Sequence, residues 1–340
     1  MKYQKEILAL AKRKSKIFTK DIASEFGISR QLASRLLKQL VEEGELVKIG
    51  KTRSAFYVHP NHLASLQKTF IKKMKNVNLK EHEVLAQAYE NLPALQKINE
   101  NIQSIFNFSF SEILNNAIEH SKSKYVEARV TLTENDLEFE IRDFGIGVFR
   151  NVMKKFKYRS ELEAIQELLK GKTTTQPKAH SGEGIFFTSK IADKFTLISF
   201  HHQMLVDNLL PDVFVGKVDK TIQGTLARFS VAIKSDKHLI NLFKQYQSSD
   251  DEMAFDKTKI LVKLYTTGTI HVSRSQARRI LTRLETFKQI VLDFDQVPTI
   301  GQAFADEIFR VFKNQYPDIR IETINTNEAV QFMIDRVAKE

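Results

Sequence analysis

The chain has 340 residues, 42% of them hydrophobic and 27% charged, a composition typical of globular domains. No apolar run reaches about 18 residues, which excludes a transmembrane helix, and the lack of cysteine excludes disulfides, thiolate metal sites and cysteine nucleophiles. The N-terminus has no signal-peptide pattern, so we expect a cytoplasmic protein with no membrane partner. At roughly 100–200 residues per domain, the length predicts two or three domains.

The positive charge is concentrated near the N-terminus. The formal net charge is +11, and residues 1–60 contain 13 lysines and arginines against 6 aspartates and glutamates. This segment therefore carries most of the excess charge. A basic segment that also has a recognisable fold is a candidate nucleic-acid module.

Three helices and two strands are predicted in this basic segment. Apolar periodicity places the helices around 3–11, 19–26 and 30–43. Gly27 suits the turn before the third helix, and Ser29 suits its N-cap. Short strands at 46–49 and 55–58 flank a turn at 50–53. Residues 1–60 resemble a winged helix-turn-helix domain of bacterial transcription regulators.

That resemblance implies binding of double-stranded DNA, with the third helix in the major groove and the wing on the backbone. Side chains near the helix start would face base edges, because arginine and glutamine can read guanine and adenine bidentately. These candidates are Ser29, Arg30, Gln31, Ser34 and Arg35. Lys38, Lys51 and Arg53 would meet phosphates. Winged helices also serve as protein-interaction or dimerisation modules, and this alternative stays open.

Residues 61–106 are polar with a helical pattern, so we predict a helical connector with a break at Pro93. His82 lies only 30 residues before Glu112 (112 − 82). That distance is too short for the two-helix phosphotransfer hairpin of a sensor kinase. We therefore expect His82 to be an ordinary surface residue.

The stretch SEILNNAIEHS, residues 111–121, is typical of an amphipathic helix. Residues four apart are neighbours on a helix, so Glu112, Asn116 and His120 form one polar row. A solvated helix face would carry the same row, and the motifs that follow decide between the two interpretations.

Strands predicted at 126–133 and 137–142 end in the sequence DFGIG. Asp143 can accept a hydrogen bond from an exocyclic amine such as that of adenine, while Gly145 and Gly147 let the backbone approach a flat ring. A plain turn would also explain this short pattern.

Further along, HSGEGIFF places Gly182 and Gly184 directly before a helical pattern, which suits phosphate binding at a helix N-terminus. The long polar stretch before it, including residues 170–175, has the composition of a mobile lid. Strands at 195–200 and 225–232 follow, the second preceded by Gly224.

The segments EILNNAIEHS, DFGIG, SGEGI and GTLARF occur in the order of the N, G1, G2 and terminal Gly-Thr boxes of the GHKL ATPase superfamily. Residues 85–235 thus resemble gyrase B, MutL, the sensor histidine kinases and the anti-sigma-factor serine kinases. The resemblance implies an α/β sandwich, the Bergerat fold, that binds ATP with Mg²⁺. There is no Walker A pattern, so this is not a P-loop enzyme.

The resemblance also implies roles for single residues. Asn116 would hold Mg²⁺ and Glu112 would activate the nucleophile, while Asp143 would contact adenine with support from Thr225. The remaining candidates would contact the ring or the phosphates: Gly145, Gly147, His120, Lys172, Gly182 and Gly184. Sensor histidine kinases usually have asparagine at the position of Glu112, so glutamate there favours hydrolysis or serine/threonine phosphorylation.

Residues 255–340 alternate strands and helices, which predicts a small α/β sandwich. The segments SRSQARRI and TIGQAFADEIFR resemble the STAS-like domain of unknown function found attached to such ATPases. In STAS antagonists a phosphorylatable serine follows the central strand, but Gly301 and Gln302 stand there in this chain, and Thr299 is a weak substitute. Basic residues of the first helix could bind a protein partner or lie on a solvated face: Arg274, Arg278 and Arg279.

The sequence thus predicts an α+β multidomain protein: a winged helix, a GHKL α/β sandwich and a STAS-like domain. We expect an ATP-binding, ATP-hydrolysing, DNA-binding regulator whose nucleotide state is coupled to DNA binding. Two alternatives stay open. One is a serine/threonine kinase of the anti-sigma type, and the other is an ATPase clamp, for instance in phage defence, whose winged helix binds protein. A homodimer is compatible with each of them.

Overall fold

The computed structural model describes residues 2–14, 16–49, 55–60, 62, 69–172, 183–248, 255–265 and 270–338. The N-terminal unit has three helices and an antiparallel hairpin, and its elements are α1 Lys2–Arg13, α2 Thr19–Glu25, α3 Arg30–Glu42, β1 Val47–Ile49 and β2 Phe56–Val58. It has its own apolar core, which includes Ile7, Ile22 and Leu37. The predicted order of elements is confirmed, and kinship to winged helices stays a prediction.

The middle of the chain is built on a five-stranded antiparallel sheet in the order β3-β4-β5-β7-β6. Its strands are β3 Thr69–Lys75, β4 Tyr125–Leu132, β5 Asp136–Asp143, β6 Lys194–Asp207 and β7 Asp212–Ala232. In β4 and β5 every second residue is buried, as expected for a sheet with one covered face. The predicted alternation is therefore confirmed.

Helices cover one face of this sheet. They are α4 Glu81–Asn91, α5 Glu100–His120, α6 Val148–Phe156, α7 Glu161–Lys170, α8 Gly184–Ile191 and α9 Leu239–Gln245, with a 3-10 turn at Pro93–Lys97. Phe106 and Phe110 of α5 both pack edge-on against Phe139, which stacks on Phe229 with centroids 4.8 Å apart. This aromatic contact fixes α5 against the sheet. No helix within the described ranges is both long and apolar enough to span a membrane.

The prediction of helix throughout residues 61–106 is wrong for residues 69–75, which form the edge strand β3. Phe70 and Met74 are buried, whereas Ile71 is exposed. Lysines fill most of the remaining positions, as is common on edge strands, and they conceal the alternation in the sequence. The sheet therefore begins before residue 85, where the sequence placed the start of this domain.

The C-terminal region contains a parallel sheet in the order β12-β10-β8 and a second small pair, β9 with β11. The strands are β8 Lys257–Leu261, β9 Ile270–His271, β10 Gln289–Asp293, β11 Thr299–Ile300 and β12 Arg320–Ile324. The helices are α10 Arg274–Leu281, α11 Gln302–Asp306, which continues as a π-helical turn Glu307–Phe312 and a last turn Lys313–Gln315, and α12 Glu328–Ala338. The predicted α/β alternation is confirmed, and β10 is buried along its whole length.

The sheet domain and the C-terminal domain share one apolar core. Helix α7 lies at their junction, where residues 164–170 are all buried. The sequence assigned this segment to a long polar stretch, and the mobile-lid prediction is wrong for Lys170, whose side chain is only 2% exposed. Its charged residues are buried because partners from the C-terminal domain reach them. Residues 173–175 of the predicted lid lie outside the described ranges.

Candidate functional site

Asp143 is the last residue of β5 and occupies an inward-facing position. The buried positions of that strand are Leu137, Phe139, Ile141 and Asp143, two residues apart as the pleat requires. The carboxyl is therefore held beneath the helices, and the residue is only 4% exposed. An aspartate at an inward-facing position of a strand is costly to bury unless hydrogen bonds compensate the loss of water contacts.

Hydrogen bonds to the Asp143 carboxylate come from two chain segments. The Gly145 amide donates to Oδ1 at 2.8 Å, and Thr225 donates through both its hydroxyl and its amide. The Thr225 hydroxyl also accepts from the Val148 amide at 3.0 Å, which ties the start of α6 to this carboxyl. Burial nevertheless raises the pKa of Asp143 above the usual value, and the hydrogen bonds and Arg142 only partly oppose it.

Three glycines leave no room for a side chain around this carboxyl. A Cβ on Gly145 would lie 1.8 Å from the Ser121 carbonyl oxygen at the end of α5, and one on Gly224 would lie 2.2 Å from the Asp143 carbonyl oxygen. Gly147, at φ +78°, would place a Cβ 2.4 Å from Ser199 Oγ. The glycines are thus required by contacts within the protein itself. Gly224 was not among the predicted site residues, and its place directly before Thr225 was the available signal.

We expect Gly145→Ala to destabilise the protein by about 1–3 kcal/mol, the usual cost of overpacking. The added methyl group would overlap backbone atoms, which cannot rotate away. Gly216→Ala is the matched control, because nothing lies within 4 Å of its built Cβ, and it should stay within about 0.5 kcal/mol. Urea unfolding of both variants measures the difference. Equal stabilities would contradict the close approach of Gly145 to α5.

The polar row of α5 is half-buried at the edge of its packed face. Glu112, Asn116 and His120 are all partly exposed, between the buried residues Ile113, Leu114 and Ala117. The Asn116 amide nitrogen donates to the Glu112 carbonyl at 2.8 Å, which directs Oδ1 away from the helix axis. His120 ends the helix, and its carbonyl accepts from Asn151 at 3.4 Å. The three side chains therefore share one edge, as predicted.

The start of α8 lies against Glu112. A Cβ on Gly184, the first residue of α8, would be 2.0 Å from Glu112 Oε2, so the helix N-terminus approaches this carboxylate as closely as a glycine permits. Lys172 donates from Nζ to the Thr286 carbonyl at 2.9 Å, so its ammonium is held by the C-terminal domain. Burial lowers the pKa of Lys172, with Glu183 opposing. Gly182 lies outside the described residues.

Helix α5 joins the two ends of this site. Gly145 and Ile146 contact Ser121 just after the helix, the Ile146 amide donating to the Ser121 carbonyl at 2.8 Å, while Gly184 contacts Glu112. Nine residues separate Glu112 from Ser121, about 13–14 Å at 1.5 Å per residue. An extended nucleoside triphosphate spans a comparable length. The arrangement can therefore offer a carboxylate acceptor at one end and an amide oxygen with a second carboxylate at the other.

The candidate DNA-contacting side chains share the exposed face of α3. The described members of this set are Ser29, Arg30, Gln31, Ser34, Arg35 and Lys38, and each is exposed. The opposite face, with Ala33, Leu37 and Leu40, is buried. Ser29 accepts the Leu32 amide at 3.2 Å and so caps the helix, as predicted. Lys51 and Arg53 lie outside the described residues.

Two of the three basic side chains of α10 named above, those of Arg274 and Arg278, are engaged within the C-terminal domain, whereas Arg279 is exposed. Arg274 pairs with Asp306 at 2.9 Å and Arg278 pairs with Glu307 at 2.7 Å, although both arginines are exposed to solvent. The two carboxylates are buried, so the ion pairs compensate them. A protein partner would have to compete with these ion pairs.

Two family models match separate parts of the chain. Residues 80–205 match the family model of a histidine kinase-like ATPase domain, and residues 276–331 match that of a STAS-like domain of unknown function. A search of curated proteins found no match. An ATPase domain of this type suggests ATP binding, and the oxygen atoms of Asp143, Glu112 and Asn116 suit it chemically. The chain thus contains a histidine kinase-like ATPase domain of the GHKL type, followed by a STAS-like domain.

Proposed function

We propose that this protein is an ATP-binding and ATP-hydrolysing regulator that binds double-stranded DNA, with its nucleotide state coupled to DNA affinity. The ATP part rests on one observation above all. The buried Asp143 carboxyl lies beside the C-terminal end of α5, and the Glu112–Asn116 edge lies earlier on the same helix; at each place a glycine lets two chain segments approach closely. The DNA part is supported by the exposed arginines of α3 and the basic N-terminal segment.

Each end of the site has its own role in this proposal. Asp143 accepts a hydrogen bond from the adenine amino group, and the bond is strongest when the carboxylate is ionised. Asn116 offers Oδ1 to Mg²⁺, and Glu112 orients the attacking water; magnesium keeps several waters and takes phosphate oxygens beside one or two protein ligands. When bound, Mg²⁺ neutralises charge on the phosphates. The amide hydrogen bond of Asn116 to the Glu112 carbonyl supports this orientation.

DNA binding in this proposal uses the exposed face of α3. Arg30 and Arg35 contact bases or phosphates from the first turns of the helix, and Lys38 contacts phosphate. Lys38 already pairs with Glu42 at 3.6 Å, but such an exposed pair is worth little and can be exchanged for a phosphate.

Incubation with Mg²⁺ and γ-labelled ATP tests the enzymatic part. The proposal expects free phosphate from the wild-type protein and none from Glu112→Ala, with ATP still bound by the variant. Label transferred to a protein would instead favour a serine/threonine kinase of the anti-sigma type. Bound ATP with neither product would contradict hydrolysis and leave a nucleotide sensor.

A further inference from the structure

Two chain segments approach the candidate phosphate end of the site, and the C-terminal domain contacts both of them. One segment is the end of α7 with Gly171 and Lys172, and the other is the beginning of α8, which carries Gly184 against Glu112. Each of these segments contacts residues that lie after position 254 in the chain.

Buried polar contacts fix the end of α7. Lys170 donates from Nζ to the carbonyls of Arg279 at 3.1 Å and Thr282 at 2.8 Å, at the C-terminal end of α10, where a cation is favoured. Its own carbonyl accepts from Thr258 at 2.7 Å. Glu167, one turn earlier, pairs with Lys170 at 3.3 Å and with Arg283 at 2.8 Å. Breaking such buried pairs is costly, so this end of α7 is held firmly.

Several aromatic contacts hold the beginning of α8, and Phe255 is the ring among them that lies nearest the C-terminal domain in the chain. The Phe255 ring stacks on Phe186 with centroids 4.9 Å apart and contacts Phe187 at the same distance. Its Cζ would lie 2.4 Å from a Cβ on Gly171, so the ring touches the chain that leaves α7 as well. Phe287 packs edge-on against Phe255 at 5.4 Å and anchors it in the C-terminal domain. Phe255 thus contacts both segments at once.

We propose that Phe255 is a positioning residue for the phosphate end of the nucleotide site, so that the STAS-like domain is required for discrimination between ATP and ADP. Gly184 lies two residues before Phe186 in the same helix, and it contacts the Glu112 carboxylate directly. Loss of the Phe255 ring lets the first turn of α8 shift relative to Glu112. Asp143 lies beside the C-terminal end of α5, away from this contact, and keeps its partners. This inference rests on the proposed ATP site.

The test compares ATP and ADP affinities of the full-length chain by calorimetry. In Phe255→Leu we expect the ratio of ATP to ADP affinity to fall about tenfold or more, because a tenfold change needs only about 1.4 kcal/mol, the size of one lost hydrogen bond to the terminal phosphate. ADP affinity should stay within about twofold, because the contacts at the Asp143 end are not changed. A tenfold loss of affinity would need about 1.4 kcal/mol of lost contact. Gly171→Ala approaches the same contact from the other side, and it should shift the ratio in the same direction.

Phe304→Leu is the matched control, since Phe304 is a fully buried phenylalanine of α11 whose ring contacts His271. It should lower the thermal unfolding temperature without changing the ratio of affinities. An unchanged ratio in folded Phe255→Leu and Gly171→Ala would overturn the inference, and so would an equal change in Phe304→Leu. Failure of the wild-type protein to bind ATP at all would instead reject the proposed function.

Discussion

Asp143→Ala should weaken ATP binding about 10- to 150-fold, because it removes a charge-assisted hydrogen bond worth roughly 1.5–3 kcal/mol. The carboxyl is buried and already oriented by the Gly145 amide and Thr225, so binding would not have to order it. Calorimetric titration with Mg-ATP measures the loss. Glu138→Ala on the same strand, where the side chain is exposed, should leave the affinity unchanged. Unchanged affinity in Asp143→Ala would remove this residue from the site.

The raised pKa of Asp143 adds a pH dependence to this result. Burial favours the protonated carboxyl. As the pH is lowered, the loss of ATP affinity should therefore begin at a higher pH than it would with an ordinary aspartate. Stability responds in the opposite sense. Between the usual aspartate value and the raised native value the folded state binds more protons, so this group favours folding increasingly as pH falls. Asp143→Asn should remove that contribution, and pH-dependent unfolding of both proteins measures it.

The double substitution Arg30→Ala and Arg35→Ala should reduce affinity for double-stranded DNA by about 30-fold or more. Each lost arginine contact is worth about 1–3 kcal/mol if it reads a base. If the arginines contact phosphates, the slope of log affinity against log salt should also decrease by about two. Both side chains are exposed on α3 and opposite its buried face, so folding should be preserved.

Fluorescence anisotropy with a labelled duplex, repeated across a salt series, measures affinity and slope together. Lys154→Ala with Lys155→Ala, two exposed lysines of α6, removes the same charge from the ATPase domain and should have little effect. Equal losses in the two double variants would show that only net charge matters. Salt-independent binding that neither pair changes would reject the DNA site.

Local periodicity could predict how some candidate residues are placed, whereas their assignment to a nucleotide site rests on the resemblance to the GHKL motifs. The period of two in β5 places Asp143 inward, and the i, i+4 spacing in α5 places Glu112 beside Asn116. The approach of Gly184 to Glu112 depends on how α5 and α8 pack, which no local pattern contains. The same holds for Gly224, whose neighbour Asp143 is distant in sequence.

The predictions for helix α7 and strand β3 were wrong for a related reason. Helix α7 has the charged residues Glu167 and Lys170, which suggest exposure until Arg283 and the carbonyls of α10 are considered, more than 100 residues later. In strand β3, lysines occupy most of the positions other than Phe70 and Met74, so the alternation of apolar and polar residues that marks a strand is hidden in the sequence. Burial of α7 comes from a neighbouring domain, and such contacts between distant segments cannot be derived from periodicity.

The coupling of nucleotide state to DNA affinity is the central claim, and one titration tests it most directly. Duplex affinity of the full-length protein is measured without nucleotide, with Mg-ADP and with Mg-ATP, beside Asp143→Ala under the same conditions. The account predicts that Mg-ATP changes the affinity of the wild-type protein by about fivefold or more, the lower end of typical coupling between sites, and leaves the variant unchanged. Equal affinity in all three conditions for an ATP-binding wild-type protein would contradict it.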